Sequence, residues 1–422
     1  MAICASQIEA TRLLSQDPLR LSKGVGLQSK FRYYEFFAGA GMARAGLGDG
    51  WQCLFANDCD DLKQTSYADN WAGEAIDKRD VALVRADDLE GLADLAWASF
   101  PCQDLSQAGA KMGIGESGGE DVTRSGAVWP FLDIIRDLGD EGRHPVLLAI
   151  ENVVGLLNAN GGADFRTLCA ALGNVGYRFG AVVADASYFV PQSRPRVFMI
   201  AARREVPLPS ALHGELPKDP WHTQILLRAR ASLPAAEAAN WVWWAPGDPP
   251  ASKEVKLTDI IDVSNDVDWN TAEETNRLIG MMAKPQLDRL AAAKAADRMM
   301  IGSLYLRMRP NGKGGNVQRA EIAFGDTLGC LRTPKGGASR PRIVVVDGDR
   351  VRTRLVTTRE AASLMGLDED FKLPETYEDC FRLIGDGVVP AVVRFLANRL
   401  LEPLASHARA IVTWPADQKA SA

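Results

Sequence analysis

The sequence predicts an α/β protein in which a doubly wound sheet carries a second, smaller and irregular β-containing unit. Three observations predict it. From Tyr33 to Ala202 short apolar runs alternate with helical patterns, the signature of βαβ units and parallel strands. After Glu205 the texture changes, with prolines at 207, 209, 217, 220, 246, 249 and 250 and glycine-rich turns between β-like runs, a mark of irregular structure. Helical periodicity then returns at Thr357–Gly366 and Val388–Leu401. This divides the chain into a polar extension (1–30), a main domain in two pieces (31–205 and 352–422) and an inserted domain (206–351).

The elements follow in order. Candidate strands are Tyr33–Phe37, Gln52–Ala56, Leu95–Ser99, Val146–Ile150 and Val197–Ala201, with helical patterns between them. In the insertion, Trp241-Val-Trp-Trp244 follows a helical pattern. Two glycine-rich turns come later, Pro310-Asn-Gly-Lys-Gly-Gly-Asn316 and Lys335-Gly-Gly-Ala-Ser-Arg340.

Composition narrows the function classes. A chain of 422 residues, 46% hydrophobic and 24% charged, is ordinary for a globular protein and long enough to bury a core without cross-links. No apolar run reaches the eighteen residues of a membrane span. Glu9 and Arg12 interrupt what a signal peptide would keep apolar, so a cytoplasmic protein is expected. Seven cysteines without a CxxC pair, and four histidines, suggest neither a disulfide framework nor a metal site. The net charge of −6 argues against nucleic acid, yet residues 301–354 hold eleven Lys/Arg against four Asp/Glu. Such a basic segment in an acidic chain reads as a localised phosphate-binding surface, or as a solvated face.

Four motifs and one separate carboxylate stand at ends of candidate strands. Phe36-Phe37-Ala38-Gly39-Ala40-Gly41-Met42 follows the first strand and opens a helix; its glycines admit close approach of a ligand. Asp58 ends the next strand, where a carboxylate can accept from ribose hydroxyls. Phe100-Pro101-Cys102-Gln103 follows the third strand and precedes a glycine-rich stretch, the pattern of a loop thiol beside a mobile lid; an inert buried cysteine is the plainer alternative. Ile150-Glu151-Asn152-Val153 offers a carboxyl general acid, or merely a helix cap. In Gln192-Ser193-Arg194-Pro195-Arg196 two arginines share one face of an extended segment, to hold an anion, polarise a carbonyl or pair with surface acids.

In order and spacing, these motifs resemble those of the DNA (cytosine-5) methyltransferase family. Thr358–Gly366 and Gly385-Asp386-Gly387-Val388-Val389-Pro390 resemble its last two motifs. The resemblance implies the S-adenosylmethionine-dependent methyltransferase fold, with a mixed sheet and a target-recognition domain. It implies S-adenosylmethionine as methyl donor, S-adenosylhomocysteine as product and no metal. Phe37, Gly39, Gly41, Asp58, Cys59, Asp80, Val81, Pro101, Asp386 and Val388 would line the cofactor site. Cys102 would be the nucleophile, Glu151 the proton donor, and Arg194 with Arg196 the pair beside the target base. Gln103, Ser106 and Arg124 would contact DNA. Asn316 would fill the gap left by the flipped base, while Arg319 and Lys335 would lie on the recognition loops. The family's Thr-Leu dipeptide is matched by Thr327-Leu328 or by Cys330-Leu331.

The implied partner is double-stranded DNA, with tRNA as the alternative substrate on the same fold. A nucleoid-associated monomer is expected, and any cognate restriction endonuclease would act without binding it. Met42 stands in place of a glycine and Asp386 in place of an asparagine. Residues 208–300 resemble no part of the family.

Overall fold

The computed structural model describes residues 31–71, 75–101, 124–312, 314–333 and 340–411. Six strands form the large sheet: β1 (Phe31–Phe36), β2 (Trp51–Asn57), β3 (Leu95–Ala98), β4 (Leu147–Val153), β5 (Tyr177–Asp185) and β6 (Pro195–Arg203). Their order is β2-β1-β3-β4-β6-β5. The first four pair in parallel, whereas β6 runs antiparallel to both β4 and β5. The sheet is therefore mixed, as the family resemblance implies and the βαβ reading alone does not.

Alternation along the strands separates two cores. Tyr33, Leu95, Trp97, Leu147, Phe198 and Ile200 face the C-terminal helices, while Tyr34, Phe36, Ala96, Leu148, Ile150 and Met199 face helices Val128–Asp140 and Ala163–Asn174. Burial on both faces explains why these strands read as continuous apolar runs.

The sequence reading misses β5. Its run Tyr-Arg-Phe-Gly-Ala-Val-Val-Ala-Asp contains Gly180, which normally weakens a strand. Here the glycine has a packing reason, because a Cβ would stand 1.8 Å from the Val242 carbonyl oxygen. The last helix also differs from Val388–Leu401. It starts at Pro390, a favoured first helical position, loosens into a π-turn over Ala397–Leu401, and continues as Glu402–Ile411. The extension is held by buried Leu404, Ala405 and Ala408.

Between β6 and the second sheet, the short pair β7 (His213–Gly214) and β8 (Trp243–Trp244) packs beside β5. Trp244 Nε1 donates to the Ile200 carbonyl at 2.9 Å, and Val206, Trp221, Trp244, Leu257 and Ile261 join the large core. The second sheet contains β9 (Met300–Pro310), β10 (Asn316–Phe324), β11 (Arg342–Asp347) and β12 (Arg350–Leu355), in the antiparallel order β10-β9-β11-β12. Leu304, Ala320, Ile322, Val344 and Val346 bury against helices Ala272–Gly280 and Lys284–Lys294. A division at 205/206 and 351/352 thus assigns residues packed on the large sheet to the insertion, and cuts through β12.

At the junction, Arg354 and Glu360 form a buried ion pair with Nη1–Oε2 at 2.7 Å. Arg354 also donates to the Asp262 carbonyl at 2.6 Å, and Glu360 accepts from Asp262 N and Thr357 N. Among the described residues no helix is long and apolar enough to cross a membrane.

Candidate active site

Motif residues gather at the carboxyl edge of the large sheet. After β1 the chain turns at once into helix Met42–Leu47. Phe37, Gly39 and Gly41 take positive φ angles of 56°, 59° and 74°, a conformation that costs energy at a phenylalanine and marks a tightly constrained turn. At Gly41 a Cβ would stand 2.1 Å from Trp71 Nε1, and that indole donates to the Ala40 carbonyl at 3.0 Å. Asp58 fastens the turn, accepting from Gly39 N at 2.9 Å and from Asp60 N at 3.0 Å. Burial holds the Asp58 carboxyl above its ordinary range, against the pull of Lys63.

Asn57 donates to the carbonyls of Asp77 and Arg79 at 3.2 and 2.8 Å, which lays the next loop beside β2. Asp80 then caps the turn Val81–Leu83 through Ala82 N at 2.9 Å. Asp80 and Cys59 are exposed, while Val81 is buried. Burial, then Asp58 and Asp80, push the Cys59 thiol up. Met42 explains its own departure from glycine: it is buried against Gly387, where a Cβ would meet its Sδ at 2.1 Å.

One strand further along the edge, Asn152 Nδ2 donates to the Phe100 carbonyl at 3.0 Å. This fixes the segment that runs through half-buried Pro101 towards Cys102. Glu151 is 5% exposed and lies 3.2 Å from Arg196 Nε. The antiparallel register places Arg196 opposite Val153 on β4, beside Glu151. Burial raises the Glu151 carboxyl above its ordinary value, opposed by Arg196, by Arg194 and by a hydrogen bond from Ser99. A buried carboxyl with a raised pKa beside a guanidinium is equipped both to give up a proton and to steady negative charge.

The family profile described as C-5 cytosine-specific DNA methylase matches residues 31–402. The chain belongs to this family. It is 24% identical over 378 residues to the type II methyltransferase M.MspI of a Moraxella species, covering 88% of this chain and 71% of that one. It is also 24% identical to M.NlaX of Neisseria lactamica, over 89% of this chain and 98% of the relative. Among solved structures, the Entamoeba histolytica methyltransferase EhMeth aligns with a TM-score of 0.54 at 15% identity, over 89% of this chain and 99% of that one. A putative prophage-encoded DNA modification methyltransferase of E. coli aligns with a TM-score of 0.51 at 17% identity, over 88% and 99%. These likenesses show the fold.

In this cytosine-5 DNA methylase the two motif arginines have different surroundings, which corrects the expectation that they act as a pair. Arg196 faces Glu151. Arg194 is 1% exposed and spends its guanidinium on the backbone. It donates to the Leu331 carbonyl at 2.9 Å and to the Gly385 and Gly387 carbonyls at 2.7 and 2.6 Å. Burial, and then Arg196, draw its pKa down to about 10, so it stays charged at neutral pH. Arg194 is a positioning residue that ties three segments of the methylase together. Replacing it with leucine leaves three carbonyls without their donor and is expected to destabilise the fold by about 3 kcal/mol or more. Chemical denaturation tests this; an unchanged midpoint would remove Arg194 from the framework.

Both dipeptide alternatives lie along the same motif. Leu328 bridges Gln192, donating to the Pro191 carbonyl and accepting from Ser193 N at 2.9 and 2.8 Å. Leu331 N donates to Gln192 Oε1 at 3.2 Å, beside Cys330, whose Sγ lies 3.4 Å from Arg194 Nη1. Burial pushes the Cys330 thiol up, but Arg194, Arg196 and Arg332 outweigh it and hold it below its usual value. Asp386 pairs with Lys63 at 3.3 Å and accepts from Thr333 Oγ1 at 3.2 Å. Val388 is buried close to Arg196.

The first glycine-rich loop is a hairpin turn between β9 and β10, closed by Asn311 N to the Gly315 carbonyl at 2.8 Å. Exposed Asn316 opens β10, and Arg319 stands three residues into that strand, directly opposite Arg307. Arg307 and Arg309 pair with Glu321, whereas Arg319 forms no ion pair among the described residues. Cys102, Gln103, Ser106 and Lys335 lie outside the described residues, as does the side chain of Arg124.

Sequence reasoning overlooked Ser99, Trp71 and Lys63, which support the site from one step behind the motifs. Asn152 was within reach, because it stands inside the Glu151 motif.

Proposed function

We propose that this enzyme transfers a methyl group from S-adenosylmethionine to C5 of a cytosine flipped out of a specific double-stranded DNA site, through a covalent Cys102–C6 intermediate. The observation that carries the reading is the buried Glu151–Arg196 pair at the edge where the chain leads into Cys102. Cytosine C5 is a poor nucleophile. Adding the Cys102 thiolate to C6 moves the ring electrons towards C5, a case of covalent catalysis. Glu151 gives a proton to N3, and Arg196 steadies the charge developing at O2. Once C5 carries the methyl group, water takes up the C5 proton, the C5–C6 double bond re-forms with expulsion of the Cys102 thiolate, and N3 returns its proton to Glu151. A target carbon within a duplex has to leave the stack first.

The cofactor edge fits S-adenosylmethionine. Phe37 offers an aromatic face and Gly39 an open stretch of backbone, since a Cβ there would meet nothing within 4 Å. Asp58 suits the ribose hydroxyls and exposed Asp80 the adenine amino group. When bound, the cofactor supplies an electrophilic methyl group and leaves as S-adenosylhomocysteine. The Lys63–Asp386 pair is part-exposed, and such pairs contribute little. Asp386→Asn is therefore expected to change cofactor affinity by less than about tenfold, or ~1.4 kcal/mol. Calorimetric titration checks this, and complete loss of binding would mean that the carboxylate itself is required.

We assign DNA reading to the β9–β10 hairpin. Arg319 and Arg307 stand directly opposite each other, and of the two only Arg307 is paired with Glu321, an excess of positive charge that suits a surface meeting phosphates and base edges. Arg319→Ala is expected to slow methylation at the cognate site by about 1–3 kcal/mol and to relax preference at one base pair. Rates on single-base variants at two salt concentrations check this; uniform loss would mark a phosphate contact instead.

Bisulfite sequencing of a plasmid from cells expressing the chain tests the whole reading. Protected cytosines are expected at one short recurrent sequence, and full conversion would overturn it. Purified tRNA is expected to remain unmodified. We place the enzyme at the nucleoid in the cytoplasm as a monomer, acting independently of any restriction endonuclease.

A further inference from the structure

The part of the insertion that resembles nothing in the family builds a cleft at the opposite end of the large sheet. Glu151 and Arg196 stand where β6 begins, Arg196 opposite Ala184 of β5. Arg178 is the second residue of β5 at the other end, opposite Ala202, and Arg204 follows directly after β6. Eight residues of extended chain separate Arg196 from Arg204, roughly 26 Å at the usual strand rise. The cleft between them and β7–β8 holds about 640 Å³, within the range of small-molecule sites.

Its lining combines cations with indoles. Arg178, Arg204 and Arg230 contribute guanidiniums, and Trp241, Trp243 and His213 contribute rings. None of the three arginines forms an ion pair among the described residues. Exposed Glu215 is the one carboxylate in the lining. Arg178 and Arg204 are held on backbone, Arg178 donating to the Arg204 carbonyl and Arg204 to the Gly173 carbonyl. Arg230 Nε and Trp241 Nε1 are buried donors without an acceptor in the protein. Buried donors of this kind normally find one. The Trp243 ring is pinned by His222 at 4.9 Å and by Trp241 at 5.4 Å, both edge-on, yet the residue keeps part of its surface exposed.

We propose that this cleft is a second ligand site, which takes a nucleoside monophosphate. Guanidiniums match phosphate oxygens in pairs, and a fixed indole offers a face to a base. An inorganic anion would leave the indoles and most of the volume unused; an uncharged aromatic would leave three cations unmatched. The same chemistry occurs in a free nucleotide and in the 5′-phosphorylated end of a single strand. The site is independent of the methyl-transfer mechanism.

The test is calorimetric titration of the full chain with thymidine 5′-monophosphate, whose base is not adenine and already carries a C5 methyl group. Saturable binding at one site is expected, with thymidine and inorganic phosphate each at least tenfold weaker. Arg230→Gln and Trp243→Ala are each expected to weaken binding tenfold or more while leaving DNA methylation unchanged. Arg204→Gln, at an exposed position, repeats the test without touching buried structure. Competition by a 5′-phosphorylated oligothymidylate supports the site with a strand end as its source; failure to compete supports it with the free nucleotide. Absence of saturable binding at millimolar nucleotide, or affinity unchanged in all three variants, would overturn the proposal.

Discussion

Replacing Cys102 with alanine is expected to abolish methyl transfer while leaving S-adenosylmethionine binding nearly unchanged. The two halves of this result separate because the residues concerned sit on different strands. Phe37, Asp58 and Asp80 follow β1 and β2, whereas Cys102 comes after β3. On the proposed mechanism the thiol supplies the covalent bond to C6, so the remaining rate is expected to fall below a few per cent. A single-turnover assay paired with calorimetry measures both halves. DNA containing 5-fluorocytosine gives a direct view, because a working thiol is captured on it and the alanine variant is not. Turnover above a few per cent would move the nucleophile elsewhere.

Glu151→Gln carries the second largest expected effect, a loss of about a hundredfold or more in the chemical step, the usual scale for a general acid. DNA affinity should barely change, since Glu151 is nearly enclosed by protein. Stability gives an independent check. Burial raises the folded-state pKa of this carboxyl, so the folded protein binds its proton more tightly than the unfolded chain does. Ionising Glu151 therefore costs stability that is absent below the unfolded pKa and grows as pH rises through the folded one. Glutamine removes that cost, and the variant is expected to melt no lower than the parent at neutral pH. A lower midpoint with a normal chemical step would make Glu151 a structural partner of Arg196.

Much of this was legible in the sequence because chemistry and fold coincide at strand ends. The motifs announce themselves by residue type, and the strands beneath them by their apolar runs. β5 escaped because its packing depends on Val242, 62 positions from Gly180, and local pattern carries no trace of such a contact. The two arginines of the Arg194–Arg196 motif alternate as any extended segment would, so spacing alone predicts a shared face. What separates them is the carbonyl set from Leu331, Gly385 and Gly387, contributed by distant chain. The insertion boundary slipped for a related reason: prolines and tryptophans at 206–261 signal irregular structure, not the surface on which it packs.

The reach of Arg194 has a consequence for how the enzyme comes into being. Its carbonyl partners lie 137, 191 and 193 residues further along the chain. A polypeptide emerging from the ribosome holds Glu151, Arg194 and Arg196 long before it holds Gly385. During that interval the guanidinium has no carbonyl set to fill, and the edge it organises cannot settle. Contacts so remote in sequence close late, at a synthesis rate of about 5–20 residues each second. A chain that ends before Gly385 lacks two of the carbonyls that Arg194 holds, and is therefore expected to transfer no methyl group until that segment has been made.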